Sequence, residues 1–160
     1  RPPTPEMSGP MPPGPSPKRW QRGHACDWNM AFPRSKSRPP RSALTTIFFL
    51  LAAGEQSRWH QVTSDEVWHH YEGEGLELLV APPTMDRVAR LVLGPVSATQ
   101  RPVYTVPAHW WQAARPLGAY ALAGCTVGPG FDFADFRFLR DDAALSQRLL
   151  AIDPAAAALL

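Results

Sequence analysis

From Leu44 to Val127 the chain is a succession of short β-branched and aromatic runs, each cut off by Gly, Pro or a polar turn. Runs this short suit strands better than helices, which need about ten residues or more. The first, Leu44–Leu51 (LTTIFFLL), halts before Gly54 and reads as a buried strand. Arg58–Val62 and Glu66–Tyr71 read as two more, joined by the turn Thr63-Ser64-Asp65. Leu76–Val80 follows the Gly73-Glu74-Gly75 turn and ends at Pro82-Pro83. Arg87–Leu93, Val103–Val106, Trp110–Ala114 and Tyr120–Val127 complete the set. Gly94-Pro95, Arg115-Pro116-Leu117-Gly118 and Gly128-Pro129-Gly130 supply further punctuation. Many short strands spaced in this way predict an all-β sandwich or barrel. Residues 141–153 differ: good helix formers, an acidic start and leucines at helical spacing predict one C-terminal helix.

Residues 1–40 are of another kind. They hold eleven of the nineteen prolines and few apolar residues in any period. Proline fixes φ and removes a backbone donor, so this segment is expected to be a disordered tail. It is also basic: residues 1–42 carry eight Lys/Arg against Glu6 and Asp27, a balance of +6, and the remainder carries eight against twelve, −4. Basic residues with Trp20 and Trp28 are compatible with nucleic-acid contact, but a solvated tail accounts for them and no nucleic-acid partner is expected. The domain division is therefore a tail over 1–40 and one folded domain over 41–160, long enough to bury a core.

Cys26 and Cys125 make neither a disulfide framework nor a zinc spacing, and a reducing, cytoplasmic setting fits them. The longest apolar run, Ala43 to Ala53, is too short to span a bilayer, which takes about 20 residues. It also begins too far along for a signal peptide. No membrane association is expected.

Alternation places residues i and i+2 of a strand on one face. If His60 faces the interior, so do Arg58 and Val62. On the next strand Glu66, Trp68 and His70 share one face, and Asp65, Val67, His69 and Tyr71 share the other. A wall of Arg58, His60, Glu66, Trp68 and His70 is odd content for a purely structural core, because charged groups are seldom buried without partners. A wet cavity of ligand size accounts for it. The alternative is structural: His60 and Glu66 hydrogen-bonding each other beside an ordered water.

The same stretch carries a spacing. Gly54, His60, Glu66 and Gly73 match the first cupin motif, which runs Gly, five residues, His, one residue, His, three or four residues, Glu, six residues, Gly. Val62 stands where the second histidine belongs. The second cupin motif asks for Pro, one residue, Gly, two residues, His. Pro107 matches it, His109 replaces the glycine, and Gln112 falls at the metal-ligand histidine. His60, Glu66 and a neutral amide offer too few imidazole, thiolate or carboxylate donors for a tight transition-metal site. Neither a metal nor another cofactor is expected.

The resemblance extends to one branch of that superfamily, the uncharacterised cupin family 5, similar in fold to dTDP-sugar epimerases. It rests on Arg41–Leu51, Ser57–His60, Ser64–His69, Val106–Pro116 and Gly124–Phe136, in that order, over about 60% of the chain. It implies a double-stranded β-helix jelly roll, a cavity between its sheets and commonly a homodimer. Family members normally begin with a helix and a Gly-Gly, aromatic, Arg-Glu segment that adds an edge strand. Residues 1–40 show no such sequence, and a truncated or frame-shifted gene start would explain that along with the initial Arg1. His70 also departs from the pattern, standing where an aromatic ring is usual.

Two function classes stay open. One is a metal-independent isomerase or epimerase on a sugar-like or cyclic small molecule. His60 would be its general base, poised near pH 7, and Glu66 would orient it or act as partner acid. Arg58 would hold an anionic group, Trp68 and Tyr120 would stack on a ring, and His70 and Gln112 would complete the ligand contacts. The other is a non-catalytic module holding a metabolite in the same pocket. A metal-dependent dioxygenase is a third reading, with Val62 and Gln112 against it.

Overall fold

The computed structural model describes residues 41–160, so the expected tail over 1–40 lies outside the described residues. Ten strands form: β1 (Thr45–Ala52), β2 (Ser57–Gln61), β3 (Asp65–Gly73), β4 (Leu76–Ala81), β5 (Ala89–Leu93), β6 (Gln100–Arg101), β7 (Val103–Val106), β8 (Trp111–Pro116), β9 (Tyr120–Gly128) and β10 (Arg137–Phe138). One helix, α1 (Ala143–Ile152), follows. The turns fall where glycine and proline predict them. Gly54 and Gly73 both take left-handed φ, 86° and 88°. A Cβ on Gly73 would stand 2.4 Å from the Tyr120 carbonyl oxygen, so this position needs glycine for space as well as for φ.

The strands build two facing sheets, β1-β9-β3-β7 and β10-β2-β8-β4-β5-β6. Sequence neighbours such as β2 and β3 lie in different sheets, and this alternation makes a jelly roll. All pairings are antiparallel except the two-residue parallel pair of β5 with β6.

Three expectations need correction. β1 is not a buried strand but an edge strand: Phe48 is 80% exposed and Leu50 58%. A continuous apolar run predicts cover on both faces, yet among the described residues nothing layers over the outside of this sheet. β5 starts at Ala89, not Arg87, because Met85 closes a turn onto the Pro82 carbonyl with φ of 50°. The two-residue strands β6 and β10 carry no apolar run and were not foreseen.

The core has two parts. Between the sheets lie Leu51, Trp68, Leu76, Leu78, Val80, Leu93, Val106 and the small residues of β9. Outside the six-stranded sheet a second cluster joins Trp59, Leu79, Met85 and Trp111 to Leu139, Leu149, Ala156 and Leu159. The C-terminal segment thus serves as a lid on that sheet. Asp142 caps α1 by accepting from Leu145 N at 3.0 Å, Leu149 is its buried residue, and Ala156 O accepts the Trp59 indole N–H at 2.8 Å.

Candidate functional site

A cavity of about 840 Å³ opens between the sheets at one end of the roll, within the range of small-molecule sites. Strand register determines what faces it. Thr45, Val127 and Glu66 form one inner rung across β1, β9 and β3, and Ile47, Cys125 and Trp68 form the next. All six line the cavity. The opposite sheet contributes Ser57, Arg58 and His60 from β2, followed by Val62. A bulge in β2 between Ser57 and His60 interrupts the alternation, so Ser57, Arg58 and His60 all border the cavity while Trp59 packs outward.

The segment after β9 forms the remaining wall with Phe131, Phe133, Phe136 and Phe138. It is fastened to the chain near β1. Phe131 N donates to Thr45 Oγ1 at 2.8 Å, and Arg41 pairs with Asp135 at 2.5 Å and Asp132 at 3.6 Å. Asp132 caps the short turn Phe133–Asp135 by accepting from Ala134 N at 2.9 Å.

The polar groups are joined in a fixed order. The Trp68 indole N–H donates to Gln112 Oε1 at 2.8 Å, and Gln112 Nε2 donates to Glu66 Oε2 at 2.5 Å. This orients the fully buried Gln112 amide without ambiguity, since an indole can only donate and a carboxylate only accept. The Cys125 thiol also hydrogen-bonds Glu66; burial first, then the Glu66 charge and this bond, push its pKa up, so it is a thiol and not a thiolate. On the other wall His60 Nδ1 lies 2.7 Å from the Arg58 carbonyl oxygen. A carbonyl only accepts, so Nδ1 carries the proton and Nε2 is left with a lone pair. Burial lowers the His60 pKa and outweighs the opposing effects of Glu66 and of that backbone bond. The ring stacks on Phe136, centroids 5.2 Å apart.

Of the seven residues expected at the site, the cavity brings together His60, Glu66, Arg58 and Trp68. Arg58 is partly engaged, because Nη1 donates to the Leu160 carbonyl oxygen. Gln112 lies behind Glu66 and Trp68, both ends of its amide occupied, and does not line the cavity. His70 faces inward one rung beyond Trp68, outside the cavity lining, with Nε2 3.1 Å from the Glu74 carbonyl oxygen. Tyr120 stands outside as well: its hydroxyl donates to Glu72 at 2.7 Å, and that bond chiefly raises its pKa. Cys125 and the phenylalanine segment were missed. The repeated Phe in Phe131–Phe138 was a usable signal, since four such rings near a turn call for something to cover.

The residues do not fit the metal that many jelly rolls of this type hold. Val62 has no donor atom, and the fully buried Gln112 amide, held by Trp68 and Glu66, does not line the cavity. Among the described residues no three His, Cys, Asp or Glu are grouped to hold an ion. No helix of the described residues is long and apolar enough to cross a membrane.

A sequence model described as Cupin superfamily (DUF985) matches residues 17–139, beginning inside the Pro-rich segment. No curated protein matches the chain. Among solved structures, a Shewanella oneidensis protein is similar at 31% identity and a TM-score of 0.64, covering 78% of this chain and 77% of that one. A hypothetical protein from Leishmania major is similar at 28% identity and a TM-score of 0.60, covering 74% of each chain. A dTDP sugar isomerase from Desulfovibrio desulfuricans shares the fold at 12% identity and a TM-score of 0.54, covering 72% of this chain and 75% of that one.

Proposed function

Because the chain belongs to the Cupin superfamily family DUF985, we propose that it holds a small molecule between its sheets and moves a proton on it without a metal, as an isomerase or epimerase. The observation that carries this reading is the fixed tautomer of His60. Its Nδ1 proton is held by the Arg58 carbonyl, so Nε2 is a base in the neutral, buried ring. On accepting a proton the ring becomes an imidazolium, and the Glu66 charge from the opposite sheet offsets part of the cost of burying it. The proton then returns to a neighbouring position on the same ligand, so no oxidant or reductant is needed. The alternative is a non-catalytic binding module using the same pocket; Tyr120, expected to stack on a ligand ring, is held by Glu72 outside the cavity.

The test is a thermal-shift screen with phenolic, keto-acid and sugar compounds, followed by His60→Ala and Glu66→Gln against each hit. Ligand response should fall much more than melting temperature in both variants. Large losses of melting temperature with an unchanged ligand response would show the two residues to be structural.

The partner proposed for the open face of the four-stranded sheet is a second copy of this chain. Phe48, Gly124 and His69 form one outward rung, and Thr46, Thr126 and Val67 the next; Tyr71 packs across Gly124 against Phe48 and His69. These residues carry no carboxylate, ammonium or guanidinium, and Asp65, the carboxylate on the same face of β3, sits at its end and accepts from Ala108 N, so two copies can meet over the centre of the face about a two-fold axis without opposing like charges. A reducing, cytoplasmic setting is proposed as well, supported by the buried free thiol of Cys125.

A further inference from the structure

The cavity's lining restricts what it can hold. Six of its seventeen lining residues are aromatic: Phe49, Trp68, Phe131, Phe133, Phe136 and Phe138. Cation-binding cages present several ring faces to one point. Here Phe131, Phe133, Phe136 and Phe138 pack edge to face on one another, with interplanar angles of 69° to 86°. Such walls suit a flat ring, which can continue the same edge-to-face packing.

Charge argues against an anion. A diphosphate needs several cations or backbone donors around it. Arg58 is the one lining residue with a positive side chain, and it already donates to Leu160 O. Glu66 repels an anion from the opposite wall. Lys18 and Lys36 are the chain's only lysines, and both precede the described residues.

Polar supply argues against a polyol. A sugar buried here would need a partner for each hydroxyl. The Thr45 hydroxyl accepts from Phe131 N, and Thr46, whose side chain lies on the outward rung, bonds Thr126 there. Gln56, Ser57 and the rest of the Arg58 guanidinium add a few polar groups to the lining, too few for every hydroxyl of a sugar. His60 Nε2, with its lone pair, and the Glu66 carboxylate are acceptors, so a ligand group that meets either must donate.

We propose that the cavity takes an uncharged, flat, ring-bearing compound with a hydroxyl of phenolic or enolic type, donating to His60 Nε2. This deepens the proton-transfer reading and rests on it for the reaction. The hydroxyl proton passes to Nε2, the oxygen becomes a carbonyl, and His60 returns the proton to a ring or side-chain carbon. The enol is converted to its keto isomer, and atoms and electrons balance.

The test is calorimetric binding of four probes to the full chain at pH 7: 2-naphthol, naphthalene, 2-naphthalenesulfonate and thymidine diphosphate glucose. The expected order places 2-naphthol at least about tenfold tighter than the other three, the effect of roughly one buried hydrogen bond. Val62→Phe, which fills the cavity from its lining, should abolish 2-naphthol binding. Equal or tighter binding of the sulfonate or the nucleotide sugar overturns the proposal. So does no 2-naphthol binding at about 1 mM, the upper end of common KM values, or full affinity in Val62→Phe. The two readings fail separately. If 2-naphthol binds as expected but the protein isomerises no aromatic enol, the ligand class stands and the catalysis falls. If the nucleotide sugar binds in a His60-dependent way, the ligand class falls and the pocket stands.

Discussion

The two sheets treat their outer faces differently. The six-stranded sheet is covered by the chain's own C-terminal segment, which buries Trp59 and Trp111 against Leu139, Leu149 and Leu159. The four-stranded sheet leaves Phe48, Leu50, Tyr71 and Val103 exposed. Apolar patches of this kind on a folded protein mark surfaces that meet a partner. Equal hydrophobicity in sequence therefore has two outcomes among the described residues: burial under the C-terminal segment on one sheet, and exposure on the other, where a second copy is the proposed cover.

The sharpest way to break that contrast is Trp59→Ala. It removes a ring 1% exposed and the bond to Ala156 O, and the expected loss is about 3–5 kcal/mol of unfolding free energy. Denaturant titration measures it; a loss under about 1 kcal/mol would mean that the C-terminal cover contributes little.

Phe48→Asp tests the open face. Stability of the isolated chain should change by about 0.5 kcal/mol or less, as for other surface sites. Self-association should weaken by about 3 kcal/mol, because a two-fold contact carries the lost ring twice. Light scattering over a concentration series reads this directly. A wild-type chain that is monomeric at every concentration removes the second copy from consideration.

A pH series examines the inner face that the sheets share. The folded His60 pKa lies below its ordinary value because of burial. The unfolded chain takes up a proton near pH 6.5 where the native chain does not. This source of instability is absent above that pH and grows as pH falls through it. The melting temperature should drop on acidification, and His60→Gln should make the drop shallower. An identical slope in the variant would show that the imidazole is not the group responsible.

The smallest effect belongs to His109, a non-glycine residue at φ of 66°. His109→Gly should relieve about 1 kcal/mol of left-handed strain, partly offset by the greater freedom of glycine when unfolded. A net gain under about 1 kcal/mol is expected in denaturant melts; a clear loss would mean that the His109 side chain makes contacts worth more than its strain.

Much of the fold was legible because strand period and turn chemistry are local. Pro82-Pro83, Gly94-Pro95 and Leu117-Gly118 separate elements wherever they occur, and Asp142 caps a helix by its own side chain. The site was half legible. His60 and Glu66 sit six residues apart on two strands joined by a short turn, so spacing and parity together put them in one cavity. Parity also put His70 inward, and so it is, but parity cannot say how far along the roll the cavity extends. Gln112 was read from motif spacing as a ligand contact at the metal-ligand position; the structure pairs it across from His60, and its role turned on which neighbours its amide could reach.

The sequence by itself determined eight of the ten described strands, most of the turns, and that an imidazole and a carboxylate face one cavity without a second histidine between them. The tertiary structure alone decided that the phenylalanines of 131–138 fold back as the cavity's aromatic wall. It alone brought Cys125 to Glu66, and it alone, among the described residues, left one sheet bare outside while covering the other. The reason is range. Turn preference and alternation act over a few residues, whereas the wall, the thiol contact and the cover join positions about 40 to 100 residues apart, where only the packing of two whole sheets selects the neighbours.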